Sequence, residues 1–338
     1  MISYDKKINH IFSQWLMICL WMILLMIIVG GLTRLTNSGL SITEWELFSG
    51  ILPPVNNASW ISYFESYKRI PQYNLLNSSM SLEEFKIIFY WEYIHRLLGR
   101  LIGLFFILPL LYFHFVKKID FKILQPLYFV SLLILFQGLV GWYMVKSGLV
   151  NEVTVSHYRL SVHLSLAIII LSIIFWQLLN YQNQTRKSFF KISIKNLPYL
   201  ILFFLIFLQI IIGAFVSGLD AGKIYQTWPL MGQKYFPDDT NFDNLLNFEN
   251  HSLVQFYHRN LAYIVSIYII ILCLYLLKKV DKNLYKPILL IFITLAFQIT
   301  LGISTLLSNL HIVIASAHQI FSVILVLSAL NLYYCLIK

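Results

Sequence analysis

The stretch WEYIHRLLGR, residues 91–100, sets a carboxylate (Glu92), an imidazole (His95) and two guanidiniums (Arg96, Arg100) along an otherwise apolar segment. FYHRN at 256–260 repeats the His–Arg pair as His258 and Arg259, without the carboxylate. Two further histidines, His163 and His318, interrupt other apolar runs. An ionisable side chain in hydrocarbon is costly, so its default reading there is functional. The other five, His10, His114, His157, His251 and His311, fall at helix ends or in loops. A solvated or interfacial role is the default for these.

Four imidazoles at comparable places, two in each half of the chain, could hold metals or cofactors between facing helices. Zinc takes three or four ligands, often with carboxylate or thiolate help. Cys19, Cys273 and Cys335 all fall in apolar runs, where cysteine reads as a small buried apolar residue. Two imidazoles per half suit the two axial positions of a haem iron better. No C-x-x-C-H is present for covalent attachment. One turn after the histidines stand Gly99, Ala167, Ala262 and Ser322, on the same helix face, where a flat ring could approach the backbone. Close helix packing through Gly99 and Gly103 is the competing account. Arg34, Arg96, Arg159 and Arg259 could pair with propionates, and interfacial anchoring would put arginines at the same places.

The elements that carry these residues are membrane helices. Of 338 residues 59% are hydrophobic and 12% charged, too apolar for a soluble chain to hide. Eight apolar runs near 15–32, 92–116, 124–144, 155–179, 197–218, 253–277, 286–307 and 312–336 are each long enough to span a bilayer. With the amino terminus inside, the cytoplasmic segments hold 14 Lys/Arg (Lys6, Lys7, Lys117, Lys118, Lys122, Arg186, Lys187, Lys191, Lys195, Lys278, Lys279, Lys282, Lys286, Lys338) against Asp5, Asp120 and Asp281. The outer loops hold 7 Lys/Arg against 11 acids. Both termini are therefore expected to be cytoplasmic. The net charge of +10 reflects topology, and no nucleic-acid partner is implied. No cleavable signal or organellar presequence is evident, which favours a bacterial cytoplasmic (inner) membrane.

Phe136, Gln137 and Gly141 in the third run match Phe297, Gln298 and Gly302 in the seventh, and His95-Arg96 matches His258-Arg259. The expected fold is thus an all-α membrane protein of eight transmembrane helices, arranged as two parallel-repeat four-helix bundles. The boundaries are 1–180 for the first bundle, 181–196 for a basic cytoplasmic linker and 197–338 for the second. The longest loops, about 33–90 and 219–252, lie outside.

At this point the chain resembles a known family. GGLTRLTNSGLSITEW (30–45), EYIHRLLGR (92–100), VSHYRLSVHL (155–164), SGLDAGKIYQTWPLMG (217–232), FYHRN (256–260) and SAHQ (316–319) resemble haem A synthases of the alphaproteobacterial and mitochondrial branch. Outer-loop cysteines of other bacterial members are absent here. The resemblance implies an oxidoreductase that converts a methyl group of haem O to a formyl group, giving haem A for terminal oxidases. It implies haem b as cofactor in the carboxy-terminal half, on His258 and His318. Haem O would then occupy the amino-terminal half, with His95 and His163 as its histidines and Glu92 as the family's glutamate.

An electron-transfer haem needs only ligands and a tuned environment. Oxidising a methyl group creates electron-poor carbon and releases protons, which a carboxylate beside the ring could stabilise and accept. Glu92 lies three residues before His95 on one helix face. Pairing with Arg96 or an outer-loop cation is its structural alternative. The competing function is a di-haem b membrane cytochrome fed by quinol, which would have no use for one asymmetric glutamate; a transporter would also show parallel repeats. Expected partners are membrane lipid, an electron acceptor of unidentified kind and, on metabolic grounds, haem O synthase.

Overall fold

The computed structural model describes residues 6–45, 49–117, 119–190, 193–240, 245–278 and 282–337. Of the charges named above, Asp5, Lys118, Lys191, Lys279, Asp281 and Lys338 lie outside them. Eight of the described helices are long and apolar enough to cross a membrane: α1 (Lys6–Leu35), α4 (Leu82–Phe115), α5 (Phe121–Asn151), α6 (His157–Gln182), α7 (Leu197–Gly218), α8 (His251–Leu277), α9 (Tyr285–Leu307) and α10 (Ile312–Leu336). The fold is all-α. Apolar side chains such as Trp21, Leu104, Leu132, Phe204 and Ile271 stand exposed along these helices, as side chains facing lipid do. Helices suit that setting because they satisfy their own backbone hydrogen bonds.

The expected spans agree with the observed helices except at some ends: α1 begins at Lys6, not near residue 15, and α5 runs on to Asn151, past residue 144. α4 begins at Leu82, not near residue 92, because a capping box starts it: the Ser81 hydroxyl accepts from the Glu84 N–H while the Glu84 carboxylate accepts from the Ser81 N–H. Nor is the 33–90 segment a plain loop. It holds α2 (Asn57–Tyr67), capped by the Asn56 side chain, and α3 (Pro71–Leu76), which opens on proline. Leu40, Ile42, Trp60, Phe64, Tyr67, Phe85 and Phe89 bury one another there. Gln72, buried, accepts from the Tyr67 hydroxyl and donates to the carbonyls of Asn37 and Val153. The segment between α1 and α4 thereby carries a small folded cap tied to its own helices.

The chain divides into two compact units, Met1–Ile170 and Leu171–Lys338, the division falling within α6. In the first unit α4 packs on α1 and α5; in the second α7 packs on α8 and α10, and α9 on α8 and α10. The segment after α6 is held within the second unit: Trp176 Nε1 and Asn180 Nδ2 donate to the Lys187 carbonyl, and Lys187 Nζ donates to the Tyr334 carbonyl.

Candidate haem-binding site

His95 on α4 and His163 on α6 stand with ring centroids 6.3 Å apart. His258 on α8 and His318 on α10 stand 6.5 Å apart. All four rings are half-buried. An iron between two imidazoles, with each metal–nitrogen bond about 2 Å and each ring centre about 1 Å further out, separates the centroids by roughly 6 Å. Both pairs meet that spacing. Among the described residues no group of three or more His, Cys, Asp or Glu is placed to hold an ion, so zinc's usual ligand set is not provided. The residues present fit two irons, each between two imidazoles.

Each ring rests on a glycine of the preceding membrane helix. A Cβ would meet the His95 ring at 3.1 Å from Gly30, His163 at 3.2 Å from Gly141, His258 at 3.0 Å from Gly213 and His318 at 2.9 Å from Gly302. These contacts are tighter than an ordinary Cβ contact, so a side chain at the glycine would displace the ring, and the same helix–glycine–imidazole arrangement occurs four times. By contrast, Gly103 has open space around its Cβ position and Gly99 faces Met26. The four glycines escaped the sequence reading, although Gly141 and Gly302 stood in its repeat.

The arginine after the first histidine of each unit clasps a connecting segment of its own unit. Arg96 donates to the carbonyls of Ile42 and Glu44, at 2.9 and 3.2 Å, and lies over the Trp45 ring. Arg259, buried, donates to the carbonyls of Tyr225, Thr227 and Leu230, at 2.9, 2.8 and 3.3 Å. Three residues before each histidine the units differ. Glu92 is buried and accepts from Ser41 Oγ at 2.8 Å, the Ile42 N–H at 2.9 Å and Arg96 at 2.5 and 3.0 Å. Gln255, also buried, donates to the Tyr225 carbonyl at 2.8 Å. A carboxylate in one unit is matched by its neutral counterpart in the other.

The remaining arginines are also engaged. Arg159 donates to Ser147 Oγ at 2.5 Å and covers the Tyr143 ring, and Arg34 donates to Asn37 Oδ1 at 2.8 Å. Two expectations need correction. His157, at the start of α6, is 5% exposed, and its ring centroid stands 4.0 Å from that of Tyr158. Cys335 is exposed on the last turn of α10, whereas Cys19 and Cys273 are buried as expected. In the second outer segment the Tyr225 hydroxyl donates to Asp238 at 2.5 Å and Asp239 at 3.1 Å. Burial, and then these carboxylates, push the tyrosine up to about 12, while the same hydroxyl holds Asp238 below the usual carboxylate range.

A sequence profile described as "Cytochrome oxidase assembly protein" matches residues 13–330. A protein of Pelagibacter ubique named "Heme A synthase" is 48% identical over 337 residues, covering 98% of each chain. Proteins of the same name from Rickettsia felis (43% identical; 98% of this chain, 99% of the relative) and Wolbachia pipientis (44%; 94% and 90%) are similar over nearly the same extent. Eight apolar helices and these bacterial relatives make the chain a multi-pass protein of a bacterial inner membrane. With motifs, helices and relatives aligned along almost its full length, the chain belongs to the haem A synthase family of cytochrome oxidase assembly proteins.

Proposed function

We propose that the chain is itself a haem A synthase, an oxidoreductase that oxidises a methyl group of haem O to the formyl group of haem A. The observation that carries this reading is the inequality of two otherwise matched sites: Glu92 stands where the other unit has Gln255, beside imidazole pairs of nearly equal spacing. In this reading His258 and His318 hold haem b and His95 and His163 receive haem O. A haem in the carboxy-terminal unit supplies one-electron transfer.

The methyl group is hydroxylated twice with oxygen from water. Each hydroxylation removes two electrons and two protons, and the resulting hydrated aldehyde loses water. Glu92 is the residue suited to the charge that develops: a preorganised carboxylate stabilises electron-poor carbon and accepts a proton. Its donors, Ser41, Ile42 and Arg96, fix its direction. Arg34, Arg96, Arg159 and Arg259 are engaged with protein groups; a propionate at any of them extends an existing network. Haem O enters from the membrane, handed over by haem O synthase, and an acceptor of unidentified kind removes the electrons.

Expression in a host that makes haem O but lacks haem A tests the reading directly. Extracted pigment should contain haem A, and replacing His258 or His318 with alanine should abolish the low-spin haem b spectrum. Unchanged haem O in the extract, from a chain that carries haem b, would leave an electron carrier in its place.

A further inference from the structure

Three of the four histidines have a glutamine partner on the helix that cradles them. Gln137, Gln209 and Gln298 each precede the cradling glycine by four residues, on one helix face. Gln137 Nε2 donates to the His163 carbonyl at 2.9 Å, and Gln209 Nε2 donates to the His258 carbonyl at 3.0 Å while lying 3.0 Å from His258 Nδ1. Gln298 Nε2 lies 3.5 Å from His318 Nε2, and Gln209 Nε2 lies 3.4 Å from His258 Nε2 as well. The Oε1 atoms of all three glutamines are buried without a partner, and so are Nδ1 of His163 and Nδ1 of His318. Buried polar atoms left unpaired are costly. In the Gln137–His163 and Gln298–His318 hairpins an acceptor and a potential donor are orphaned together; turning over the Gln209 and Gln298 amides, and the His318 ring with the latter, brings an acceptor to Nδ1 of His258 and His318.

Ring orientation follows the same division. His163, His258 and His318 turn their Cε1–Nδ1 edge to the glycine, whereas His95 turns its Nε2–Cδ2 edge to Gly30. At the place of the glutamine, four residues before Gly30, stands Met26. Its thioether donates nothing and accepts weakly.

We propose that Gln137, Gln209 and Gln298 are positioning residues that pin the Nδ1 edge of His163, His258 and His318 to the preceding helix and free Nε2 for iron, and that Met26 leaves His95 the unpinned, exchangeable histidine. The second clause rests on the assignment of haem O to the His95–His163 pair. A substrate haem must leave after each cycle and a resident cofactor must stay, so one unpinned ligand on the substrate side divides the two tasks. Hydrogen bonding of the ring N–H that faces away from a metal fixes tautomer and orientation and raises ligand basicity.

The pinning can be tested without haem. In the haem-free chain labelled with 15N-histidine, spectra at mildly alkaline pH should give Nδ1–H rings for His163, His258 and His318. Gln137→Leu, Gln209→Leu and Gln298→Leu should each convert one ring to a tautomer mixture. Gln298→Glu, which keeps an acceptor, should restore Nδ1–H and, in the haem-loaded chain, lower the midpoint potential relative to Gln298→Leu. Met26→Gln removes no polar contact and should draw His95 into the Nδ1–H form.

Haem transfer to apomyoglobin then reads the consequence. Loss from the carboxy-terminal unit should accelerate about 10-fold to 100-fold in Gln209→Leu or Gln298→Leu. Loss from the amino-terminal unit should slow in Met26→Gln. Histidine spectra that are identical in wild type and all three leucine variants would overturn the pinning, and a His95 ring and haem loss unmoved by Met26→Gln would overturn the role given to Met26. Failure of the wild-type chain to take up haem overturns the haem assignment instead, and the tautomer spectra, read without haem, separate that result from failure of the pinning.

Discussion

At the scale of single residues, Glu92 is the group whose two roles most need separating. It holds the outer chain through Ser41 and Ile42 and also stands one helical turn from His95. Gln255 occupies the matching place in the other unit, so a glutamine there is compatible with the hairpin. Glu92→Gln is therefore expected to fold and to keep a normal haem b spectrum. Haem A formation should fall about 100-fold to 1,000-fold, the usual loss when one preorganised electrostatic partner is removed. Haem O or its singly hydroxylated alcohol should accumulate in the extract. Ser41→Ala is the control: it removes one bond to the same carboxylate, worth about 1 kcal/mol, and leaves the charge. Equal loss of haem A in both variants would assign Glu92 to holding the cap and not to chemistry.

At the scale of elements, the two clasps make a prediction of their own. Arg259 holds three carbonyls of the 225–230 segment, and hydrogen bonds to a charged donor are each worth about 1.5–3 kcal/mol. Arg259→Met keeps the apolar stem and removes the donors. Limited proteolysis should then cut the 225–239 segment much faster than in wild type while α8 stays intact; an unchanged cleavage rate would mean that the Tyr225–Asp238 and Tyr225–Asp239 bonds suffice. The helices themselves were legible in the sequence because apolar runs of bilayer length have few alternatives. Their outer extensions were not, since the Ser81–Glu84 capping box and the aromatic cap around Trp60 and Tyr67 act on polar-looking chain. The histidine pairs were legible as well, from residue type and repeat. The glycine cradles were not, because they depend on which helix face meets which ring; the Glu92–Gln255 match stands at equal spacing in the sequence, and only its hydrogen bonds came with the fold.

At the scale of the molecule, the duplication explains why function can be divided at so little cost in sequence. Both units use a glycine-cradled imidazole and an arginine clasp, and they differ at Met26 against Gln209 and at Glu92 against Gln255. Four spans between equivalent positions are expected to give the two repeats one orientation. Charge argues for which side: 14 basic residues against three acids lie in the segments assigned to the cytoplasm, and Lys and Arg near helix ends set orientation. Reporter fusions at Lys118, Lys191 and Lys282 should accordingly report cytoplasm, and fusions near Ser62 in α2 and at Asp239 should report the outside. The outer fusions carry the sharper information, since Ser62 belongs to the cap that Arg96 and Gln72 secure over the first unit and Asp239 to the segment that Arg259 and Tyr225 hold over the second. Opposite sides for Ser62 and Asp239 would make the repeats antiparallel and the two clasps unrelated. A full inversion would keep the repeats and move both histidine pairs to the cytoplasmic face, where the basic residues flanking the helices would stand on the side that membrane insertion disfavours.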